Sequence, residues 1–461
     1  MARGKKHSLA ESCVDGSLDR KRPPKQAKTT AESNTNNEEE KSLPPILPET
    51  VYYEKDSLQR IHPYYHKFAT YAKGRWVGRT IFDVFSKEFR DRPTSYYLEA
   101  IAQGLIEINH KRVDKDTVVR NSDLVTHYIH RHEPPVTTQP LGIVEHICDG
   151  LLLVDKPGSI PVHPTGRYNY NTVTKILEIK HGYRTLYPVN RLDRLTSGLM
   201  LVGLNAEVAR RMERDFRDHR IQKEYVCRVR GQFPEGKVVC EQPIRVVAHK
   251  LSLNCVDPKD GKPSLTEFTR LCADGDHSIV YCRPKTGRTH QIRVHLQFLG
   301  FPIANDPLYC NSEVWGDAMG KDGALPHLPP ISEKHERDNG VEPFDNDRLP
   351  KMGGRRDADN IEPWRPLVER MEEWKTKQEL IERISNSVDD DEGTGVERVC
   401  DKCMDPVMPD PTQDELCIWL HAWRYSGPGW SYETTLPEWA SGAVEHIDRV
   451  KYHSDEQSAG S

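Results

Sequence analysis

The stretch Asn190-Arg191-Leu192-Asp193-Arg194-Leu195-Thr196-Ser197-Gly198-Leu199-Met200 sets one carboxylate between two arginines, ahead of a Thr-Ser-Gly turn. A cation on each side favours the ionised form of Asp193. An ionised, partly desolvated aspartate is a nucleophile candidate. The same pattern also describes an Asp-Arg pair that merely holds a turn, since structural ion pairs carry such patterns too. A second stretch, Gly287-Arg288-Thr289-His290-Gln291-Ile292-Arg293-Val294-His295-Leu296, puts two arginines and two histidines in ten residues without an acid. Metal ligation is one reading; an element facing phosphate or carboxylate fits the surplus of cations better. Between the two, residues 221–229 alternate like a strand, with Lys223 and Tyr225 on one side.

These residues need elements to hold them. A buried strand is expected to lead into Asp193 and a hydrophobic strand over 199–204 to lead out. Gly150-Leu151-Leu152-Leu153-Val154-Asp155-Lys156-Pro157 reads as a buried strand stopped by proline, followed by Pro161-Val162-His163-Pro164. A helix is expected from Asn171 through Leu177. Another follows Asn205 as cap, with Val208, Met212 and Phe216 on one face. Its Arg210, Arg211, Arg214 and Arg217 fall largely on the other face, which an ordinary solvated surface also explains.

Upstream, residues 51–76 mix Tyr52, Tyr53, Tyr64, Tyr65, Phe68, Tyr71 and Trp76 with basic side chains. Rings among cations suit RNA, and equally suit a segment packed across a domain. Thr80 is placed to cap a helix bearing Ile81, Val84, Phe85 and Phe89. A second helix is expected over 94–103, ending at Gly104. Strands are expected over 105–109 and 124–129. Two helices before a short sheet resemble the S4 fold, a small RNA-binding module; any small α+β domain can also read this way.

The chain has 461 residues, enough for two or three domains. No apolar run approaches the roughly 18 residues of a membrane span, and no secretory signal is expected from the polar first residues. Eleven cysteines form no disulfide pattern, so a reducing compartment is expected. The net charge of −5 hides an asymmetry. Residues 141–310 carry 25 basic and 18 acidic side chains, whereas residues 311–461 carry 17 and 33. A basic core suits a polyanionic partner, although a solvated surface gives the same excess. Lys5-Lys6 and Arg20-Lys21-Arg22 lie in a tail read as disordered, with the spacing of a bipartite nuclear-import signal. Glu11, Asp15 and Asp19 argue against a mitochondrial transit peptide. Cytoplasm and/or nucleus is therefore expected, and mitochondrion is disfavoured.

Taken together, the motifs resemble the RluA-type pseudouridine synthases, in family order. They are the Leu-Val-Asp-Lys-Pro strand with Val162-His163-Pro164; Arg191-Leu192-Asp193 with Thr196-Ser197-Gly198; Lys223-Glu224-Tyr225; Gly287 to Leu296; Gly300 to Asp306; and Leu420-His421-Ala422. Asn190 departs from the histidine usual in bacterial members. Trp423-Arg424-Tyr425-Ser426-Gly427 and the Asn190 motif resemble the eukaryotic branch, including fungal enzymes acting on uridine 32 of tRNA. No His-x-Glu pairs with Pro-Cys-x-x-Cys, so the zinc deaminase domain of one fungal relative is not expected.

The resemblance implies an α+β pseudouridine synthase fold, with a mixed, mostly antiparallel sheet and flanking helices. It implies Asp193 as the catalytic carboxylate, attacking the sugar carbon or abstracting a sugar proton. Arg293 pairs with that aspartate, and Tyr225 packs on the base and helps proton transfer. Arg191 fills the hole left by the flipped base. Arg288, Arg194 and Lys223 are expected to contact RNA. The partner is RNA, tRNA foremost, with no cofactor and no membrane.

The expected organisation is a tail over 1–50, an S4-like domain with its lead-in over 51–135, and a catalytic domain over 136–310. An acidic, mostly disordered insertion over 311–415 with a helix near 366–384, a closing segment over 416–440 and a tail over 441–461 complete it. Cys400-x-x-Cys403 and Cys417 offer zinc ligands, with His421 as a fourth. His421 belongs to the family's strand motif, which needs no metal, so no metal site is expected.

Overall fold

A computed structural model describes residues 51–89, 92–147, 149–325, 364–385, 400–403, 409–443 and 446. The basic clusters of the first 50 residues lie outside this set, as do residues 326–363 and 386–399 of the acidic insertion.

The N-terminal part begins with a hairpin, β1 (Tyr52–Lys55) and β2 (Leu58–Ile61). There follow β3 (Tyr64–Tyr71), α1 (Ile81–Glu88), α2 (Thr94–Ala102), β4 (Ile106–Ile108), β5 (Lys111–Arg112) and β6 (Leu124–Arg131). The sheet order is β3-β6-β4-β5. The two expected helices are followed by β4, β5 and β6, but β3, which precedes them, pairs with β6 in the same sheet, so the sheet does not simply follow the helices. The Thr80 side chain accepts the Asp83 N–H at 3.2 Å, which caps α1. Ile81, Val84 and Phe85 recur at helical spacing and bury against Tyr96, Tyr97, Ile101 and Val125. The aromatic lead-in divides. Tyr64 and Trp76 are buried, so packing and not base stacking accounts for them, whereas Phe68 and Tyr71 are exposed. Strand β7 (Val136–Thr137) then pairs with β2.

The remaining strands build one ten-stranded sheet. They are β8 (Gly142–Ile147), β9 (Leu151–Lys156), β10 (Tyr187–Pro188), β11 (Ser197–Gly203), β12 (Gln222–Arg230), β13 (Lys237–Cys240), β16 (Thr266–Ala273), β17 (His277–Pro284), β18 (Leu420–Gly427) and β19 (Trp430–Glu433). A separate hairpin holds β14 (Ile244–Ala248) and β15 (Leu253–Val256). The main order is β13-β16-β17-β12-β18-β11-β9-β8, with β10 on β11 and β19 on β18. Strands β9 and β11 are apolar almost throughout because both faces are covered. α3 (Val173–His181) and α4 (Ala206–Arg217) flank this half. Asn205 caps α4, accepting the Val208 N–H at 2.9 Å. α5 (Gln291–Phe298) packs through Ile292 and Leu296 on the other half.

The two halves meet through β18, which is parallel to β11 and antiparallel to β12. Gly198 pairs with Ala422 there at φ +113°. A Cβ at Gly198 would stand 2.2 Å from the Ala422 carbonyl oxygen, so only glycine allows this approach.

Two expectations are corrected. The strand leading into Asp193 is not a long buried one but the two-residue β10, whose Tyr187 is exposed. β10 and β11 form a hairpin, and residues 189–196 must leave the sheet to carry Asp193 out of it. The insertion is not simply a solvated acidic loop. α6 (Ser312–Trp315) and α7 (Arg365–Ser385) bury Val314, Trp315, Leu367 and Met371 against Ile244, Leu253, Val294 and Tyr309. Leu367 and Met371 stand four apart on α7 and give it an apolar stripe that a count of charges hides.

Candidate active site

Asp193 lies in the loop of the β10–β11 hairpin, and backbone contacts hold that loop from beneath. The Thr196 N–H donates to the Asp193 carbonyl at 3.1 Å. The fully buried Lys156 ends β9, and its Nζ donates to the carbonyls of Pro157 and Ile160 at 2.9 Å and of Arg194 at 3.1 Å. Burial pushes the Lys156 ammonium down to about 7, opposed by the nearby Asp193 charge. The lysine of the Leu-Val-Asp-Lys-Pro motif is thus a bracket beneath the aspartate loop. Asn190 adds a second: its Oδ1 accepts the Leu201 N–H at 2.8 Å, and its Nδ2 donates to the Tyr425 hydroxyl at 3.2 Å.

The facing wall is α5. Arg293 forks onto Asp306, with Nε to Oδ2 at 2.6 Å and Nη2 to Oδ1 at 2.8 Å. Its Nη1 reaches Asp193 Oδ2 at 3.5 Å. Burial disfavours the Asp306 charge, but Arg293 and the N–H groups of Leu308 and Tyr309 outweigh it and hold the carboxyl below its ordinary range. Burial likewise opposes the Arg293 charge, and Asp306 outweighs it and raises the pKa. His290 Nε2 stands 3.6 Å from Asp193 Oδ2. Burial and the Arg293 charge push that imidazole down to about 4, so it is neutral at pH 7. Its Nδ1 lies 3.0 Å from the Tyr309 hydroxyl.

Tyr225 comes from β12, at the shift in register between β12 and β18. Its hydroxyl lies 3.0 Å from that of Tyr425. Burial pushes the Tyr225 phenol up to about 12; the Tyr425 hydrogen bond opposes this and the Asp193 charge adds to it. Lys223, on the same strand, donates to the Thr286 carbonyl at 3.1 Å. Burial and the neighbouring Arg288 push its ammonium down to about 8.

Asp193, Tyr225, Arg293, Arg191, Arg288 and Lys223 line a single cleft of about 510 Å³. Arg194 does not: its guanidinium lies over the Tyr168 ring, 5.8 Å from the centroid. The expectation that sequence-adjacent arginines flank Asp193 is therefore corrected. Among the described residues, the cation beside it is Arg293 and its other neighbour is the neutral His290, both about a hundred residues further on. The reason is the turn at 193–196, which sends consecutive side chains to different sides. His421 is engaged elsewhere, with Nδ1 2.9 Å from Ser197 Oγ and Nε2 2.8 Å from Thr434 Oγ1. Asp306, His290, Tyr309 and Tyr425 were not foreseen as site residues. Asp306 closes the Gly300-to-Asp306 motif, and an acid following an arginine-rich stretch is the signal the sequence carries for it. The cleft offers a charged carboxylate, a neutral phenol and a rim of cations, the equipment for work on a nucleotide held by its phosphates.

Residues 150–298 match the family described as RNA pseudouridylate synthase. The human pseudouridylate synthase RPUSD2 is 41% identical over 413 residues, covering 85% of this chain and 75% of that protein. The mitochondrial tRNA pseudouridine(32) synthase of Saccharomyces cerevisiae is 37% identical over 425 residues, covering 90% and 83%. The tRNA pseudouridine(31) synthase of the same yeast is 30% identical over 431 residues, covering 84% and 96%. The mitochondrial name of the first yeast relative overturns the cytoplasmic or nuclear expectation drawn from the basic clusters. Such an address is read by a receptor, and tail composition alone is a poor guide to it. Aligned along most of its length with these enzymes, the chain belongs to the RluA-type RNA pseudouridine synthases, isomerases that convert uridine to pseudouridine in RNA.

Proposed function

We propose that the chain isomerises uridine 32 in the anticodon loop of tRNA, with Asp193 as its catalytic carboxylate. The observation that carries this reading is Asp193 held 3.5 Å from the buried Arg293–Asp306 pair in a cation-rimmed cleft. The position follows the yeast relative named for it, which also supports a mitochondrial setting. The reaction breaks the N1–C1′ bond of uridine, turns the base and joins C5 to C1′. The C5 proton is lost and N1 gains one, so no oxidant or cofactor is consumed. Asp193 acts on the sugar, either at C1′ or on a ring proton. Tyr225, a neutral phenol beside the cleft, packs on the base and assists the proton transfer. Arg191, exposed at the cleft, fills the place of the flipped base. Lys223 and Arg288 take phosphates. Arg194 is left to an outer RNA contact.

Residues 51–135 are read as an S4-like module that grips the rest of the tRNA, with exposed Phe68 and Tyr71 in place of the buried Trp76. A flipped base comes most cheaply from a single-stranded loop. The test is tritium release from 5-tritiated uridine in a full-length tRNA transcript and in an isolated anticodon stem-loop, with the product mapped. Conversion at position 32, faster in the full transcript, is expected. Reaction at position 31 or only in ribosomal or messenger RNA overturns the substrate assignment. Release undiminished in Asp193→Asn overturns the catalytic one. No release from any RNA pool makes a silent RNA-binding protein the better reading.

A further inference from the structure

A second cluster of reactive side chains lies outside the cleft. His130 is the last residue but one of β6, His132 lies just beyond its end, and Cys400 and Cys403 sit in a short turn that precedes β18 in the chain. One ligand atom from each lies within 4.8 Å of every other. Cys400 Sγ is 3.6 Å from His130 Nδ1, and the two imidazole rings meet edge-on with centroids 4.9 Å apart.

The spacings explain the convergence. Residues two apart along extended chain project to the same side, and a Cys-x-x-Cys turn brings two thiols to one point. We propose that His130, His132, Cys400 and Cys403 hold a zinc ion. With zinc–sulfur bonds of about 2.3 Å and zinc–nitrogen bonds of about 2.0 Å, neighbouring tetrahedral ligands stand roughly 3.5 Å apart. The Cys400–His130 separation already matches, and the ion draws in the rest. Two thiolates and two neutral imidazoles select zinc over oxygen-seeking magnesium or calcium. They also cancel its double charge, which suits a centre in which Cys403 and His130 are buried.

This ligand set differs from one built on Cys417 and His421. Both ring nitrogens of His421 are engaged, with Ser197 and Thr434. None of the four residues lines the cleft, so the ion is structural. It ties the end of the N-terminal sheet to the segment that leads into β18. Two other contacts fasten that segment to the same part of the chain. Arg92 donates to the Cys403 carbonyl, and Arg60 forks onto Asp410.

The site is independent of which uridine is modified. The test is metal analysis of the reduced, full-length chain after expression in zinc-supplied medium and desalting. About one zinc per chain is expected. Cobalt exchange should give the thiolate-to-metal charge-transfer band and strong visible bands of a tetrahedral S2N2 site. Cys400→Ser with Cys403→Ser should lose the metal, and Cys417→Ser should keep it. Folded, reduced wild-type protein that holds no zinc and takes up no cobalt overturns the site, as does full retention of metal by the double variant. Should the double variant not fold, the wild-type cobalt spectrum decides, because bands without thiolate character also overturn it.

Discussion

Across the cleft, Asp193 and Arg293 face each other but are held by opposite means. The Asp193 side chain is 35% exposed, and its loop is fixed by Lys156 through backbone carbonyls and by the Asn190 side chain, which accepts the Leu201 N–H. The Arg293 side chain is 6% exposed and is fixed through its own charge, by Asp306. Asp306 is in turn held by the N–H groups of Leu308 and Tyr309, and Tyr309 lies in the core shared with α7. The difference separates chemistry from stability. The proposed catalytic carboxylate stays at the surface of its loop, whereas the cation that faces it belongs to the core.

Replacing one residue on each side breaks the comparison most sharply. Asp193→Asn is expected to lower isomerisation by more than about a thousandfold while leaving RNA affinity within about threefold, because the carboxylate acts on bond-making. Its urea midpoint should match wild type. Tritium release within about tenfold of wild type would end the catalytic assignment. Asp306→Asn should behave in reverse. It leaves Arg293 buried and uncompensated, at a cost of about 3–5 kcal/mol read as a lower urea midpoint. An unchanged midpoint would show that the core side of the cleft is not held by this pair.

Acid provides a milder probe of the same core. His290, His295 and His421 are each pushed by burial to about 4. The unfolded chain binds these protons near pH 6.5, before the folded chain does. Stability is therefore full above that value and falls as pH drops towards about 4, by on the order of 3 kcal/mol for each histidine. Equal urea midpoints at pH 7 and pH 5 would contradict this. At the rim, Lys223 loses its proton around pH 8. RNA affinity should weaken as pH rises through that value, and Lys223→Met should flatten the response and reduce the salt slope by about one. The smallest contrast is between neighbours in sequence. Arg191→Ala should lower kcat/KM by about tenfold, and Arg194→Ala by no more than about twofold, since only Arg191 lines the cleft.

Sequence legibility followed the range of the interactions. The caps at Thr80 and Asn205, the apolar strands β9 and β11, and the helix α7 follow from local pattern and were foreseen. Asp193, Tyr225 and Arg293 were named from motif order, and they share one cleft. What escaped depends on distant partners. The Arg293 partner of Asp193 is implied by motif order, but the local charge pattern credits Arg191 and Arg194, neither of which takes that place. Lys156 reads in the sequence as part of a strand motif, whereas its buried ammonium joins three carbonyls. The acidic composition of residues 311–415 concealed the apolar side of α7, because a few residues at helical spacing hardly alter an average.

The placement of β18 has a consequence for how the molecule is made. Synthesis runs from the N-terminus, yet the strand that joins β11 to β12 spans Leu420–Gly427. Until it leaves the ribosome, the aspartate loop and the Tyr225 strand belong to half-sheets with open edges, and neither has its central neighbour. Tyr425, which bonds both Asn190 and Tyr225, arrives with the same strand. A nascent chain released before this point exposes two sticky strand edges to the cell's folding and degradation machinery. The cleft is completed in one late step, so a partly made chain carries Asp193 and the α5 wall without the strand that seats Asn190 and Tyr225.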